Sequence, residues 1–148
     1  MGPDRERIAL GLTEADRTRT LQRGGPEDAD QVRAFVIDTA RLLTDRHFHE
    51  VVILDVRGLS DLTDYILIAS GTSDRQILAV ADEVEDTASA ADLSRYGREG
   101  DDSGTWLVLD FVDAVVHLFE PATRAVYDLE MLWGDASTVT WRREADPA

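Results

Sequence analysis

From about Pro26 the apolar positions take a helical period. Val32, Phe35, Val36, Thr39, Ala40 and Leu43 fall at i, i+3, i+4, i+7, i+8 and i+11, one stripe of a helix that should pack on a sheet. VVILDV, residues 51–56, is a β-branched, nearly unbroken apolar run of the kind a central strand carries, closed by Arg57 and Gly58. YILIAS, residues 65–70, reads the same way. Gly71 suits a tight turn, and Ser73 stands three residues before Gln76, the spacing of a capping box, so a helix should start there. Ile77, Val80, Ala81, Val84, Ala88 and Ala91 keep helical spacing, which leaves Asp82, Glu83, Glu85 and Asp86 as a solvated face. A short strand near Tyr96 to Arg98, a polar loop at 100–104 and two strands at 105–111 and 114–119 complete this stretch.

The last two strands predict their own pairing. With Val112 and Asp113 as a two-residue hairpin loop, Phe111 faces Ala114 and the ladder runs back to Trp106 opposite Phe119. One face then gathers Leu107, Leu109, Phe111, Ala114, Val116 and Leu118, wholly apolar. The other gathers Trp106, Val108, Asp110, Val115, His117 and Phe119. A three-residue loop mixes the two sets, so the segregation itself selects the register. The mixed face, with a large aromatic beside an acid and an imidazole, suits a protein interface, where Trp anchors dominate and polar groups fix register. The plainer roles are a covering helix with His117 hydrogen-bonded to a neighbour, and Asp110 capping a turn amide.

Pro121 suits a helix start, and Ala122 to Leu132 continues with Val126, Leu129 and Leu132 as its stripe, ended by Gly134. Tyr127, Glu130, Met131 and Trp133 flank that stripe. The sum is an α/β domain over residues 27–135 with a mixed sheet of about five strands and flanking helices. Residues 1–26 read as a flexible extension, and 136–148 as a weakly ordered tail in which VTW at 139–141 offers an edge strand.

Composition narrows the chemistry. The 148 residues are one domain's worth and contain no cysteine, which excludes disulfides, thiolate zinc sites and cysteine nucleophiles. All 15 basic residues are arginine, so no lysine nucleophile or P-loop lysine exists. The net charge is −15, and residues 31–134 hold 20 acids against 8 arginines, so the acidity belongs to the folded domain. Such a surface disfavours direct nucleic-acid and membrane contact and favours a basic protein partner. No apolar run spans a bilayer and the N-terminus lacks a secretory core, which makes a cytoplasmic protein the expectation.

Enzymatic readings find few residues. Gly71, Thr72 and Ser73 lie between a strand and a helix as in a nucleotidyltransferase turn, with Asp55, Asp64 and Asp110 as imaginable metal ligands. No Asp-x-Asp or Glu-x-Asp pair follows at strand spacing, and little basic charge surrounds the turn. Ser70 and Ser73 lack the Gly-x-Ser-x-Gly elbow. A zinc site needs His47, His49 and His117 to converge, and the His47-to-His49 spacing puts both on one strand face but not on one helix face.

The ordered set Asp55, Asp64-Tyr65, Gly71-Thr72-Ser73, Gly100, Trp106, Asp110, His117, Arg124, Tyr127, Leu129-Glu130 and Leu132-Trp133 resembles the ribosomal silencing factor family, RsfS or Iojap-like proteins, over roughly residues 31–135. Phe111-Val112 departs from the pattern, which has a glycine near the hairpin turn. The resemblance implies a nucleotidyltransferase-like fold without catalysis or cofactor. It also implies binding to the large ribosomal subunit through ribosomal protein fourteen, a steric block to small-subunit joining, translational repression when nutrients are short, and a tendency to self-associate. Trp106, Asp110, His117, Tyr127, Glu130 and Trp133 are the residues expected to form or support the partner contact; a nucleotidyltransferase-like nucleotide-binding protein is the rival reading.

Overall fold

The computed structural model describes residues 29–93, 97–100 and 104–144. The N-terminal extension expected at 1–26, and parts of the strand and loop expected around 96–104, lie outside the described residues. Helix α1 (Ala29–Asp45) buries Val32, Phe35, Val36, Thr39, Ala40 and Leu43, the stripe set by the sequence spacing. It stops through a Schellman motif: the Phe48 amide donates to the Leu43 carbonyl at 3.0 Å and the His47 amide to Thr44 at 3.1 Å, with His47 at φ +68°.

Strand β1 (His49–Asp55) and strand β2 (Tyr65–Ser70) pair antiparallel, with a bulge after His49 where Glu50 turns to φ +51°. Helix α2 (Asp74–Ala90) begins where Ser73 Oγ accepts the Gln76 amide at 3.1 Å. Gln76 answers one residue earlier than in the usual box, its carbonyl taking the Thr72 amide at 2.6 Å. Asp92 at φ +59° closes α2 with a second Schellman motif, its successor Leu93 donating to Ala88 at 2.8 Å.

Strands β3 (Gly97–Gly100), β4 (Trp106–Asp110) and β5 (Ala114–Phe119), helices α3 (Pro121–Tyr127) and α4 (Leu129–Leu132) and strand β6 (Ser137–Thr138) complete the fold. The sheet order is β3-β4-β5-β2-β1-β6, parallel only at β2–β5, so the sheet is mixed as expected and has six strands where about five were counted. The sixth is the edge strand, which lies at 137–138, immediately before the VTW segment.

The hairpin register is the one the period-two pattern selects, with Trp106 opposite Phe119, Val108 opposite His117 and Asp110 opposite Val115. The wholly apolar face packs under α1 and α2 in one core with Phe35, Leu43, Ile53, Leu67, Ile77 and Val84. The opposite face forms a smaller core of Leu54, Val56, Ile66, Ile68, Val108, Val115 and Phe119, closed by Leu129 and Trp133. Each fully buried aliphatic or aromatic side chain contributes ~1.5–3 kcal/mol, so the first core carries most of the stability.

The chain beyond 136, read as a weakly ordered tail, follows the β1 edge as far as it is described. Val139 donates to Ile53 at 3.0 Å, and buried Trp141 donates from Nε1 to the Val51 carbonyl at 3.2 Å. Arg143 then holds Asp45 through both carboxylate oxygens at 2.9 and 3.0 Å.

Candidate partner-binding face

The second sheet face carries three of the six expected contact residues, Trp106, Asp110 and His117. Trp106 is half-buried at the start of β4, and its ring lies within 6° of parallel to those of His117 and Phe119, at centroid distances of 6.1 and 5.7 Å. Its Nε1–H donates to His117 Nδ1 at 3.2 Å. His117 is fully buried and therefore stands behind Trp106. The donor fixes its Nδ1 as an acceptor.

Asp110 is buried as well, and Oδ1 accepts the Val112 amide at 2.9 Å, the turn-capping role that a strand-end carboxylate offers. That turn is strained. Val112 sits at φ +71° while the Asp113 amide donates to the Phe111 carbonyl at 2.9 Å, a γ-turn with a β-branched residue at its centre. Glu99, on the neighbouring strand, has its carboxyl pushed up, first by burial and then by the Asp110 charge.

Trp133 is buried in the smaller core, Glu130 is exposed, and the Tyr127 side chain lies outside the described part. One continuous helix over 122–132 was expected, with Val126 in its buried stripe. Asp128 instead turns to φ +45° between α3 and α4, so the register does not carry through and Val126 is 80% exposed. Met131 on α4 is 78% exposed.

Arg124, which the sequence marked only as a family element, organises this segment. Buried at 6% exposure, it donates from Nε to Glu130 Oε1 at 2.8 Å and from Nη1 to Ser70 Oγ at 2.9 Å, and Nη2 lies 2.7 Å from the same Glu130 oxygen. Glu50, at the β1 bulge, stands 3.9 Å from Nη1. The fork thus ties α3 to α4 and both to the end of β2. Only its depth in the fold, which an arginine in a polar helical segment does not announce, reveals that role.

The rival site is filled by the chain itself. The Gly71 amide donates to Phe119 O at 2.7 Å and the Thr72 amide to Gln76, so two of the turn's amides are committed. A Cβ at Gly71 meets Phe48 at 2.8 Å and Ile77 at 2.9 Å, which is why glycine stands there. Asp55 is held by Arg57 at 2.9 and 2.6 Å, which lowers its carboxyl below the usual range. Among the described residues no group of three acids or histidines is placed to hold a metal ion. No described helix is long and apolar enough to cross a membrane.

Comparison with known proteins matches residues 29–148 to the family model described as ribosomal silencing factor during starvation, RsfS. The ribosomal silencing factor RsfS of Bacillus subtilis is 40% identical over 92 residues, covering 62% of this chain and 78% of that protein. A mouse protein named mitochondrial assembly of ribosomal large subunit protein 1 is 33% identical over 80% of this chain and 54% of its own. A crystal structure of a Chromobacterium violaceum protein superposes with a TM-score of 0.63 at 31% identity, covering 78% of this chain and 93% of that one. With a family model spanning all of the described residues and a fold shared with a solved structure at that identity, the chain belongs to the ribosomal silencing factor (RsfS) family.

Proposed function

We propose that this protein binds the large ribosomal subunit through ribosomal protein fourteen on the intersubunit face. Bound there, it sterically blocks joining of the small subunit and so represses translation in the cytoplasm when nutrients are short. The observation that carries the reading is family membership across residues 29–148. The name of the mouse relative, which refers to assembly of the ribosomal large subunit, supports the choice of subunit. Charge supports the choice of partner: a chain with a net charge of −15 is repelled by ribosomal RNA and attracted to a basic protein set in it.

In this reading Trp106 and Glu130 face the partner, Tyr127 lies beside them, and Asp110, His117 and Trp133 support the face from within. No catalytic residue or cofactor takes part. Self-association belongs to the same reading, through a sheet face or edge, and light scattering across a concentration series tests it. The nucleotide-binding rival is disfavoured because the Gly71 and Thr72 amides already have acceptors within the chain.

Co-sedimentation with separated subunits tests the proposal. Pelleting with the large subunit and not the small one is expected, and cross-linking should recover ribosomal protein fourteen. Pelleting with neither subunit, together with a raised melting temperature in magnesium and a nucleoside triphosphate, would return the nucleotide reading to first place.

A further inference from the structure

The most exposed large apolar side chains among those described are Val126 and Met131, at 80% and 78%; Leu59 and Leu78 follow at 47% and 46%. The first two sit on the same short segment, α3 followed by α4, which covers the smaller core beside the Trp106 strand. An exposed pair on a loose segment would mean little, but this segment is fixed. Arg124 bolts it to Ser70 on β2 and to Glu130 within itself, and Leu129 and Trp133 pack beneath it.

The charges around the pair are one-sided. Glu120, Asp128, Glu130 and Asp135 are the acids of residues 120–135, and the sole arginine there, Arg124, is buried and paired. Glu130 takes both Arg124 contacts on Oε1, which leaves Oε2 for a donor from outside. Exposed apolar side chains on an acidic segment suit contact with a basic protein surface.

Resting on the large-subunit reading above, we infer that Val126 and Met131, held in place by Arg124, are apolar anchors of the contact with a basic ribosomal protein. Trp106 is therefore not the sole anchor. Its indole N–H is already engaged by His117, and the ring is half-buried, so it presents part of one surface. Arg124 acts as a positioning residue, too deep to touch the partner.

The test is quantitative pelleting with purified large subunits. The Val126→Ser/Met131→Ser pair should bind at least tenfold more weakly than the unaltered protein, and the Val126→Lys/Met131→Lys pair more weakly still. Leu78→Asp, on α2 over the other sheet face, should stay within threefold. Both positions face solvent, so melting temperatures should hold; the single serine variants, each expected to weaken binding, serve if a double variant melts lower. Serine-pair binding within threefold, while the unaltered protein pellets normally, overturns the inference and leaves the large-subunit reading standing. Tighter binding by the lysine pair identifies RNA on this face and likewise overturns it. Failure of the unaltered protein to pellet removes both.

Discussion

Trp106 Nε1–H donates to His117 Nδ1 at 3.2 Å across two paired strands, with the two rings within 6° of parallel. The histidine thus fixes the orientation of a half-buried indole. This links hairpin register to recognition, since a one-residue slip would send the two rings to opposite faces of the sheet.

Trp106→Ala should weaken large-subunit binding by tenfold or more, about 1.4 kcal/mol, because a ring at a protein contact is lost along with its stacking on Phe119. Binding within about threefold in a pelleting titration would remove Trp106 from the contact. His117→Phe keeps an aromatic ring in the stack but removes the acceptor. It should cost less affinity than Trp106→Ala and should shift the Trp106 fluorescence spectrum.

Val112 should respond to substitution in an inverted order. A residue held at φ +71° stores ~1–3 kcal/mol of backbone strain, comparable to the ~1.5–3 kcal/mol that burying a valine contributes. Val112→Gly relieves the strain while losing the burial, so its stability in urea should lie within ~1 kcal/mol of the unaltered protein. Val112→Ala loses burial and keeps a side chain at positive φ, so it should be less stable than the glycine variant. The opposite order would show that the turn is unstrained.

Asp55 should make stability depend on acid in a defined window. Its side-chain hydrogen bonds to Arg57 lower its pKa below the unfolded value of roughly 4, so the contribution is present above that value and is lost as pH falls through the folded pKa. Arg57 is half exposed, which limits the pair to ~0.5–1 kcal/mol after solvent screening. Asp55→Asn should therefore be less stable by that amount at pH 7, and the difference should vanish as pH falls through the folded pKa of Asp55. A pH-independent difference in urea midpoints would show that packing, not charge, sets the effect.

Trp141 marks the tail as part of the core. Burial of its ring and its bond to the Val51 carbonyl imply that Trp141→Ala costs ~3 kcal/mol, toward the lower end of aromatic-to-alanine losses because the site lies at the sheet edge. Equilibrium denaturation checks this, and a loss below ~0.5 kcal/mol would mean that the tail merely lies on the surface.

The first helix, the Ser73 cap and the β4–β5 register were legible because each follows from local spacing: a 3.6-residue stripe, an oxygen three residues before an amide, a two-residue alternation. The break at Asp128 was not. Val126, Leu129 and Leu132 keep helical spacing through it, and a single residue at positive φ leaves no mark on that pattern. The covered position of His117 was open in the sequence, because period two assigns a side chain to a face but cannot say which face a later helix will cover. Trp141 was undervalued for a related reason. Its burial depends on Val51 and Arg41, about ninety and one hundred residues earlier in the chain, and neither partner leaves a trace in the tail's own sequence.

The most direct test of the central claim is a subunit-joining assay, in which light scattering follows the formation of whole ribosomes from purified subunits. Adding this protein to the large subunit first should lower the amplitude of joining in a dose-dependent way, and preincubation with the small subunit should give no additional effect. Unchanged joining at concentrations where the protein pellets with the large subunit would contradict the steric block.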